Sequence, residues 1–250
     1  MDTRPIFLTD LDDFLFNLKH KCVNAARQIS TTESGQPQSF MNATQIAFFN
    51  WLFSSTRVVP VTGRSFESFS RIGLPFTSGA ILAFGGIILR PDGSPDPIWL
   101  DRIKTKAAAE SGRLQELKVT IDATAERLQS GLAGKIVSSL GVEQYVKVVS
   151  LAGKSNVDHC QVIADDLRQA LPAGWQIHHN NSQVCAMPPF LRKELAVQYF
   201  LENIAGEFPF VIGGGDSLSD LGFINMAHYG LFPNPSQALD NLALLAAAGQ

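Results

Sequence analysis

Three short apolar runs, each followed at once by polar residues, punctuate the chain: Pro5 to Thr9, Val58 to Thr62 and Phe208 to Ile212. Such runs are expected of buried parallel strands, whose two covered faces leave no polar alternation and whose carboxyl ends carry chemistry. Between the first two, Ile46, Phe49 and Phe53 recur at helical spacing. Strand, helix, strand predicts a right-handed crossover and an α/β core with a doubly wound, Rossmann-like sheet.

The middle of the chain changes pattern. Ala80 to Leu89 is apolar around Gly85-Gly86, and the turn Arg90-Pro91-Asp92-Gly93 then breaks it, which predicts entry into a second unit. Leu114, Leu117, Ile121, Leu128 and Leu132 form one helical stripe, Tyr145 to Ser150 reads as a strand, and Val162, Ile163 and Leu167 form a second stripe. Trp175 to Met187 reads as a hairpin turning near Asn180-Asn181. Two helices and three or four strands make a compact α/β insert over residues 85–189, leaving 1–84 and 190–250 as a discontinuous core. After Pro188-Pro189, a helix from Arg192 to about Ala205 is expected to bury Leu195, Ala196, Tyr199, Phe200 and Ile204. The Ala-rich tail after Leu239 reads as a terminal helix or frayed end with no role.

Composition narrows the functional classes. At 250 residues, 45% hydrophobic and 17% charged, the chain is long enough to bury a sizeable core. A net charge of -3 provides no broad positive field, so nucleic acid is not expected as a partner. An anionic small molecule then needs local cations or a metal. Cys22, Cys160 and Cys185 form no CxxC pair and suggest neither a disulfide framework nor a zinc site. With no apolar window of membrane-spanning length and no leader pattern, a cytoplasmic protein without a membrane partner is expected; the oligomeric state is not legible.

Chemistry gathers where the apolar runs end. Asp10 and Asp12 lie one residue apart after the first run, where open α/β sheets place their ligand sites. An ionised Asp10 can ligate Mg²⁺ through one oxygen and attack phosphorus with the other, while Asp12 exchanges a proton with the leaving oxygen and then with water. A strand-ending turn is the structural alternative. Thr62-Gly63-Arg64-Ser65 follows the second run with a hydroxyl, a glycine and a cation suited to phosphate oxygens; Thr62 or Ser65 equally suits a helix N-cap. After the third run, Asp216 and Asp220 flank a hydroxyl-bearing turn: Asp216 can complete a magnesium shell and Asp220 can orient a bound water or a lysine. Lys193 can neutralise the nucleophile and the transferring phosphoryl group. Gly215-Asp216-Ser217-Leu218 also matches an esterase nucleophile motif, but the residue three before the late His228 is Asn225, which cannot serve as the acid.

Taken in order, Asp10-Leu11-Asp12, Thr62-Gly63-Arg64, Lys193 and Gly215-Asp216 with Asp220 resemble the four motifs of the haloacid dehalogenase superfamily of phosphohydrolases. The insert resembles the α/β cap of the branch containing sucrose-phosphate, trehalose-phosphate and Cof-type sugar phosphatases, and Gly85 to Gly93 stands where that branch enters its cap. The resemblance implies Asp10 as nucleophile, Asp12 as general acid and base, Mg²⁺ held by Asp10, the Asp12 carbonyl and Asp216, and Thr62 and Lys193 on the phosphoryl group. It implies a cap that closes over the core, with His178, His179 and Asn181 as candidate sugar ligands, although a solvated hairpin tip explains them equally. Asp13, Phe14 and Ser219 replace the glycine, threonine and asparagine that many members carry. The implied activity is Mg²⁺-dependent hydrolysis of a small phosphate monoester, a sugar phosphate or sugar conjugate; a phosphomutase and a catalytically silent sugar-phosphate binder are the alternatives.

Overall fold

A computed structural model describes residues 3–151, 156–180 and 183–248, with side chains described as far as residue 244. Its strands are β1 (Ile6–Thr9), β2 (Asn17–Leu18), β3 (Arg27–Thr31), β4 (Pro37–Met41), β5 (Arg57–Pro60), β6 (Ala80–Leu82), β7 (Ile87–Leu89), β8 (Leu132–Ser139), β9 (Val142–Ser150), β10 (Gln176–Asn180), β11 (Gln183–Met187), β12 (Val211–Gly214) and β13 (Tyr229–Leu231). The helices are α1 (Ala43–Ser55), α2 (Phe66–Phe69), α3 (Pro97–Arg127), α4 (Val157–Ala170), α5 (Lys193–Asn203), α6 (Leu221–Ile224) and α7 (Gln237–Ala248). The chain divides into two units: residues up to Trp99 with those from Arg192 onward, and Leu100–Leu191.

The first unit is built on a parallel sheet in the order β13-β12-β1-β5. All four residues of β1 are buried, as a central strand covered on both faces requires. The next strand of this sheet in the chain, β5, joins one side of β1, whereas the late β12 joins the other. The direction of strand succession therefore reverses at β1, and a crevice opens outside the carboxyl ends at such a switch point. The core of this unit gathers Phe7, Leu11, Leu15 and Phe16 with Phe49, Leu52 and Val58. Phe7, Phe14 and Phe48 pack ring against ring at 6.0–6.4 Å between centroids. Each large side chain buried this way contributes on the order of 1.5–3 kcal/mol. Helix α1 starts at a reciprocal cap between Asn42 and Gln45, and Gln45 Nε2 also donates to Asn17 Oδ1 at 2.6 Å.

Several elements differ from the sequence reading. The third core strand lies at Val211–Gly214, later than the apolar run from Phe208, because the parallel register sets Ile6 opposite Val211. An antiparallel sheet in the order β2-β4-β3 stands where no element was expected. Its strands are short and largely polar, and turn only a few residues inward, including Ile29, Ser30, Ser39 and Met41. The division between units falls after Trp99, not before Gly85. The hairpin β6–β7 stays with the first unit because Val61 bridges Ile81 and the Trp99 indole N–H donates to the Gly85 carbonyl at 2.8 Å. Leu195, expected on the buried face of α5, is 43% exposed, while Lys193 on the same helix is buried.

The second unit is an antiparallel sheet in the order β10-β11-β9-β8. Leu114, Leu117 and Ile121 of α3 and Ile163 and Leu167 of α4 form its core with Val146, Val184 and Ala186. Helix α3 starts at Pro97, well before the first leucine of its predicted stripe, because Ile103 and Ala107 are the only buried residues between Leu100 and Arg113. Leu132 opens β8 and does not continue the helix. The turn before it contains Gln129 at φ 48 and Gly131 at φ 66, and left-handed residues stop a helix. Among the described residues no helix is long and apolar enough to cross a membrane. The three cysteines are free and buried.

Asp96 joins several segments of the first unit. It precedes Pro97 as the cap of α3: Oδ1 accepts from the Trp99 backbone N–H at 2.8 Å and the Tyr199 hydroxyl at 3.1 Å, and Oδ2 accepts from Arg90 at 2.8 and 2.9 Å. Burial pushes its carboxyl up, but the Trp99, Arg90 and Tyr199 donors outweigh burial and hold it below its ordinary value. A depressed folded-state pKa gives stability that is present above the ordinary carboxylate value and lost as pH falls through the folded one. Asp96→Ala should therefore cost about 1–2 kcal/mol in denaturant unfolding at neutral pH. That difference should shrink below about pH 4.

Candidate active site

The carboxyl ends of β1, β5 and β12 carry the three core motifs. Asp10 follows β1, and its backbone N–H donates to the Gly214 carbonyl at 2.8 Å, so the end of β12 fixes where it sits. Lys193, the first residue of α5, reaches into the same place: Nζ lies 2.8 Å from Asp10 Oδ1 and 2.6 Å from Asp220 Oδ1. Asp10 and Lys193 are 183 positions apart in the chain. The rings of Phe84 and Phe223 lie 5.9 and 5.8 Å from the ammonium and complete its seat. Asp10 Oδ2 accepts no hydrogen bond among the described residues, which leaves it open to an electrophile.

Asp220 is fully buried and satisfied on both oxygens. Oδ1 takes the lysine, and Oδ2 accepts from the Ser217 N–H at 2.9 Å and the Ser217 hydroxyl at 2.8 Å. A Cβ at Gly215 would meet this carboxyl group at 2.5–2.6 Å, so the glycine provides room for the acid five residues on. Helix α7 also holds this loop: the Ala238 N–H donates to the Asp216 carbonyl at 2.8 Å, and Gln237 Oε1 accepts from the Leu218 N–H at 3.1 Å. The first residues of α7, just before the Ala-rich tail, thus brace the Asp216 turn.

One ligand atom from each of Asp10, Asp216 and Asp220 lies within 4.8 Å of the others, and all three residues are buried. Burial drives the Asp10 carboxyl well above its ordinary range; Lys193 opposes this, and Asp220 and Asp216 reinforce it. Burial, then Asp220 and Asp13, pushes Asp216 up to about 7. Burial alone would lower the Lys193 ammonium, but Asp10 and Asp220 more than offset it and raise its pKa. With all four groups ionised, one cation faces three anions, and two negative charges stay uncompensated. An oxygen donor set with that excess fits a hard divalent cation such as Mg²⁺, with Asp10 and Asp216 as the side chains to hold it.

The second motif divides its work. Thr62 is buried two residues past β5, with its N–H donating to Ile81 O and its carbonyl accepting from the Phe84 N–H. A Cβ at Gly63 would come within 2.5 Å of the Phe84 ring, so this glycine lets the loop close against the ring that seats Lys193. The N-cap alternative is realised at Ser65, which accepts from Ser68 N–H at the start of the short α2. Arg64, expected to face phosphate, instead grips both oxygens of Asp12, with Nε 2.7 Å from Oδ2 and Nη2 2.6 Å from Oδ1. The side chain of Asp12, whose backbone carbonyl and not its carboxylate was the expected metal ligand, is thereby paired with an arginine.

The remaining candidates lie elsewhere. His178 and His179 stand on β10 in the second unit, opposite Cys185 and Val184. Gln161, then Arg168, hold the Asp165 carboxyl of α4 below its ordinary value, with a smaller contribution from His179. Asn181 falls outside the described residues. The esterase-like constellation does not form: the Ser217 hydroxyl is bonded to Asp220, and His228 Nδ1 accepts from the Val211 N–H. Asp13 sits at φ 62, the left-handed conformation that favours glycine and that Asp tolerates. Its carboxylate is held by Asn17 at 3.1 Å and Lys21 at 2.5 Å. Ser217, Phe84 and Ser39, which also bonds Arg64, were missed by sequence reasoning; Ser217 alone had a signal, a serine three residues before an aspartate.

No known family profile matches the sequence, and neither does any curated protein sequence. Solved structures do. The C-terminal domain of a C. albicans trehalose-6-phosphate phosphatase aligns over 89% of this chain and 73% of its own, at 14% identity and a TM-score of 0.60. A Synechocystis sucrose-phosphatase, solved with sucrose and phosphate, aligns over 98% of both chains at 16% identity and a TM-score of 0.54. A Plasmodium falciparum IMP-nucleotidase aligns over 98% of this chain and 70% of its own, at 9% identity and a TM-score of 0.59.

The charge imbalance makes stability depend on pH and on cation. Because the folded pKa values of Asp10 and Asp216 lie above their unfolded values, the fold retains protons that the unfolded chain has lost. The site's contribution to stability therefore falls as pH rises from about 4 towards 7. Mg²⁺ in hundredfold excess over its dissociation constant should restore about 2.7 kcal/mol. Thermal unfolding with and without Mg²⁺ should show a larger shift at pH 7.5 than at pH 5, and Asp216→Asn should diminish it.

Proposed function

We propose, from a fold shared with haloacid dehalogenase-superfamily phosphatases, that this chain is a divalent-cation-dependent phosphatase acting through an aspartyl phosphate on a small phosphate monoester. The observation that carries this reading is the Lys193 ammonium bonded to both Asp10 and Asp220 at the switch point of the sheet, with Asp10 Oδ2 left open. A carboxylate held on one oxygen by a cation and open on the other is a pre-aimed nucleophile.

In the first half-reaction, an Asp10 oxygen forms a bond to phosphorus as the ester P–O bond breaks, and Asp12 gives a proton to the departing oxygen. In the second, water attacks phosphorus, Asp12 takes the water's proton, and the Asp10–phosphorus bond breaks to release inorganic phosphate. We assign Lys193 to offset charge on the phosphoryl oxygens and the Thr62 hydroxyl to donate to one of them. A bound Mg²⁺ would supply charge neutralisation at the phosphoryl group. The proposed substrate is a phosphorylated sugar or sugar conjugate. Its support is the trehalose-6-phosphate and sucrose phosphatases among the similar structures.

The test is phosphate release by the purified protein with Mg²⁺ from a panel of sugar, sugar-acid, polyol and nucleotide monophosphates. Asp10→Asn should abolish release, and Lys193→Met should lower kcat by about 10²–10³-fold. Transfer of the phosphoryl group to a second hydroxyl, in place of release, would make the protein a mutase. Silence across the panel with Mg²⁺ bound would leave a sugar-phosphate binder.

A further inference from the structure

We propose that Arg64 is the positioning residue for Asp12, and that it works from an anchor on β4. The inference deepens the phosphatase reading, since it assumes that Asp12 exchanges a proton with the ester oxygen. Asp12 accepts side-chain hydrogen bonds from one residue among those described. Arg64 Nε and Nη2 take its two oxygens at 2.7 and 2.6 Å in a fork-to-fork pair, the most directional ion pair that protein side chains form. Among the described residues no other side chain orients that carboxylate, which is 32% exposed and otherwise at liberty to rotate.

Arg64 itself is held from several sides. Nη2 also donates to Ser39 Oγ on β4 at 3.1 Å, and the guanidinium carbon lies 5.2 Å from the centre of the Phe16 ring. Its backbone N–H donates to Thr62 Oγ1 at 3.2 Å, and its carbonyl accepts from the Ala83 N–H at 2.7 Å. The Arg64 side chain is 9% exposed, so the grip is a fixed part of the fold. One loop thus serves both ends of the reaction: Thr62 offers a hydroxyl to the phosphoryl group, and Arg64, two residues on, aims the group that serves the leaving oxygen. Displacing a proton donor by about 1 Å costs roughly 10²-fold, which is the scale of effect a positioning residue can have.

A phosphate-binding arginine and an Asp12-positioning arginine fail differently. Loss of a phosphate ligand raises KM or lowers turnover equally for every ester. Loss of the positioning residue penalises esters whose leaving oxygen is basic and must be protonated, and spares 4-nitrophenyl phosphate, whose leaving group departs unaided. The experiment compares wild type, Arg64→Lys and Arg64→Met on a series of aryl and alkyl phosphates of rising leaving-group basicity.

Arg64→Met should lower kcat on alkyl esters by about 10²-fold and on 4-nitrophenyl phosphate by less than about tenfold, with KM little changed. Arg64→Lys, which keeps the charge but cannot grip two oxygens, should stay closer to Arg64→Met than to wild type. A uniform loss across the series, an effect on KM alone, or full rescue by lysine would overturn the proposal. A double-mutant cycle of Arg64→Met and Asp12→Asn, read by thermal unfolding, tests the pair without catalysis. Non-additive shifts in Tm support it, and additive shifts overturn it. If the wild type released phosphate from no ester, the phosphatase reading would fall on that result, and the cycle alone would decide whether Arg64 holds Asp12.

Discussion

Everything at the candidate active site depends on one buried ammonium. Three carboxylates placed within ligand distance of one another in a protein interior repel, and each has lost most of its water; an unpaired buried charge costs several kcal/mol. Lys193 makes the arrangement tolerable by bonding Asp10 and Asp220 together, and Phe84 and Phe223 line the space around it with ring faces instead of further charge. The surrounding chain follows from that demand. α5 must begin where it does, Gly63 must let the loop close on Phe84, and Gly215 must leave room for Asp220. The compensation is partial, and what is left over is the negative charge that a divalent cation would balance.

The acids of the first motif are kept in separate electrostatic surroundings although they are two positions apart. Asp10 shares the lysine with Asp220, whereas Asp12 has an arginine to itself. In the proposed reaction a nucleophile and a proton carrier need different environments, and separate cations would allow each to be set without disturbing the other. Asp13, in a left-handed conformation, turns the chain after Asp12, and Asn17 and Lys21 bond its carboxylate. The first of these contacts continues through Gln45 to the start of α1. The site loop is thereby tied to a helix terminus and not left to itself.

Much of this was legible in the residues. Buried parallel strands announce themselves as apolar runs because both faces are covered, and the polar residues after them mark the ends where a crevice must lie. The acids, Thr62 and Lys193 stood out by order along the chain, and the fold brings Asp10, Asp216, Asp220 and Lys193 together. What stayed hidden was hidden for physical reasons. The sheet β2-β4-β3 is mostly polar and solvated, so it has no periodic signature. Leu195 and Leu132 show the reverse failure, an apolar residue counted into a helix face that tertiary packing assigns elsewhere. Ser39 and Phe84 act through contacts with residues distant in sequence, and spacing encodes no such contact. Arg64 was seen as a cation, but its bond to Asp12 was not foreseen, because composition shows a charge and not the direction in which it points.

The central position of β1 also bears on the order in which the protein is made. β1 leaves the ribosome well before β12, one of the two neighbours that cover its edges, which comes some two hundred residues later, as does Lys193 on α5. During synthesis the nascent chain therefore carries an apolar strand with an open edge, and an acidic motif with no lysine, until α5 and β12 have emerged. The second unit, drawn from one continuous stretch, has no such wait and can complete its sheet first. A chaperone that shields a single unpaired strand would have its longest engagement here with the opening residues of the chain.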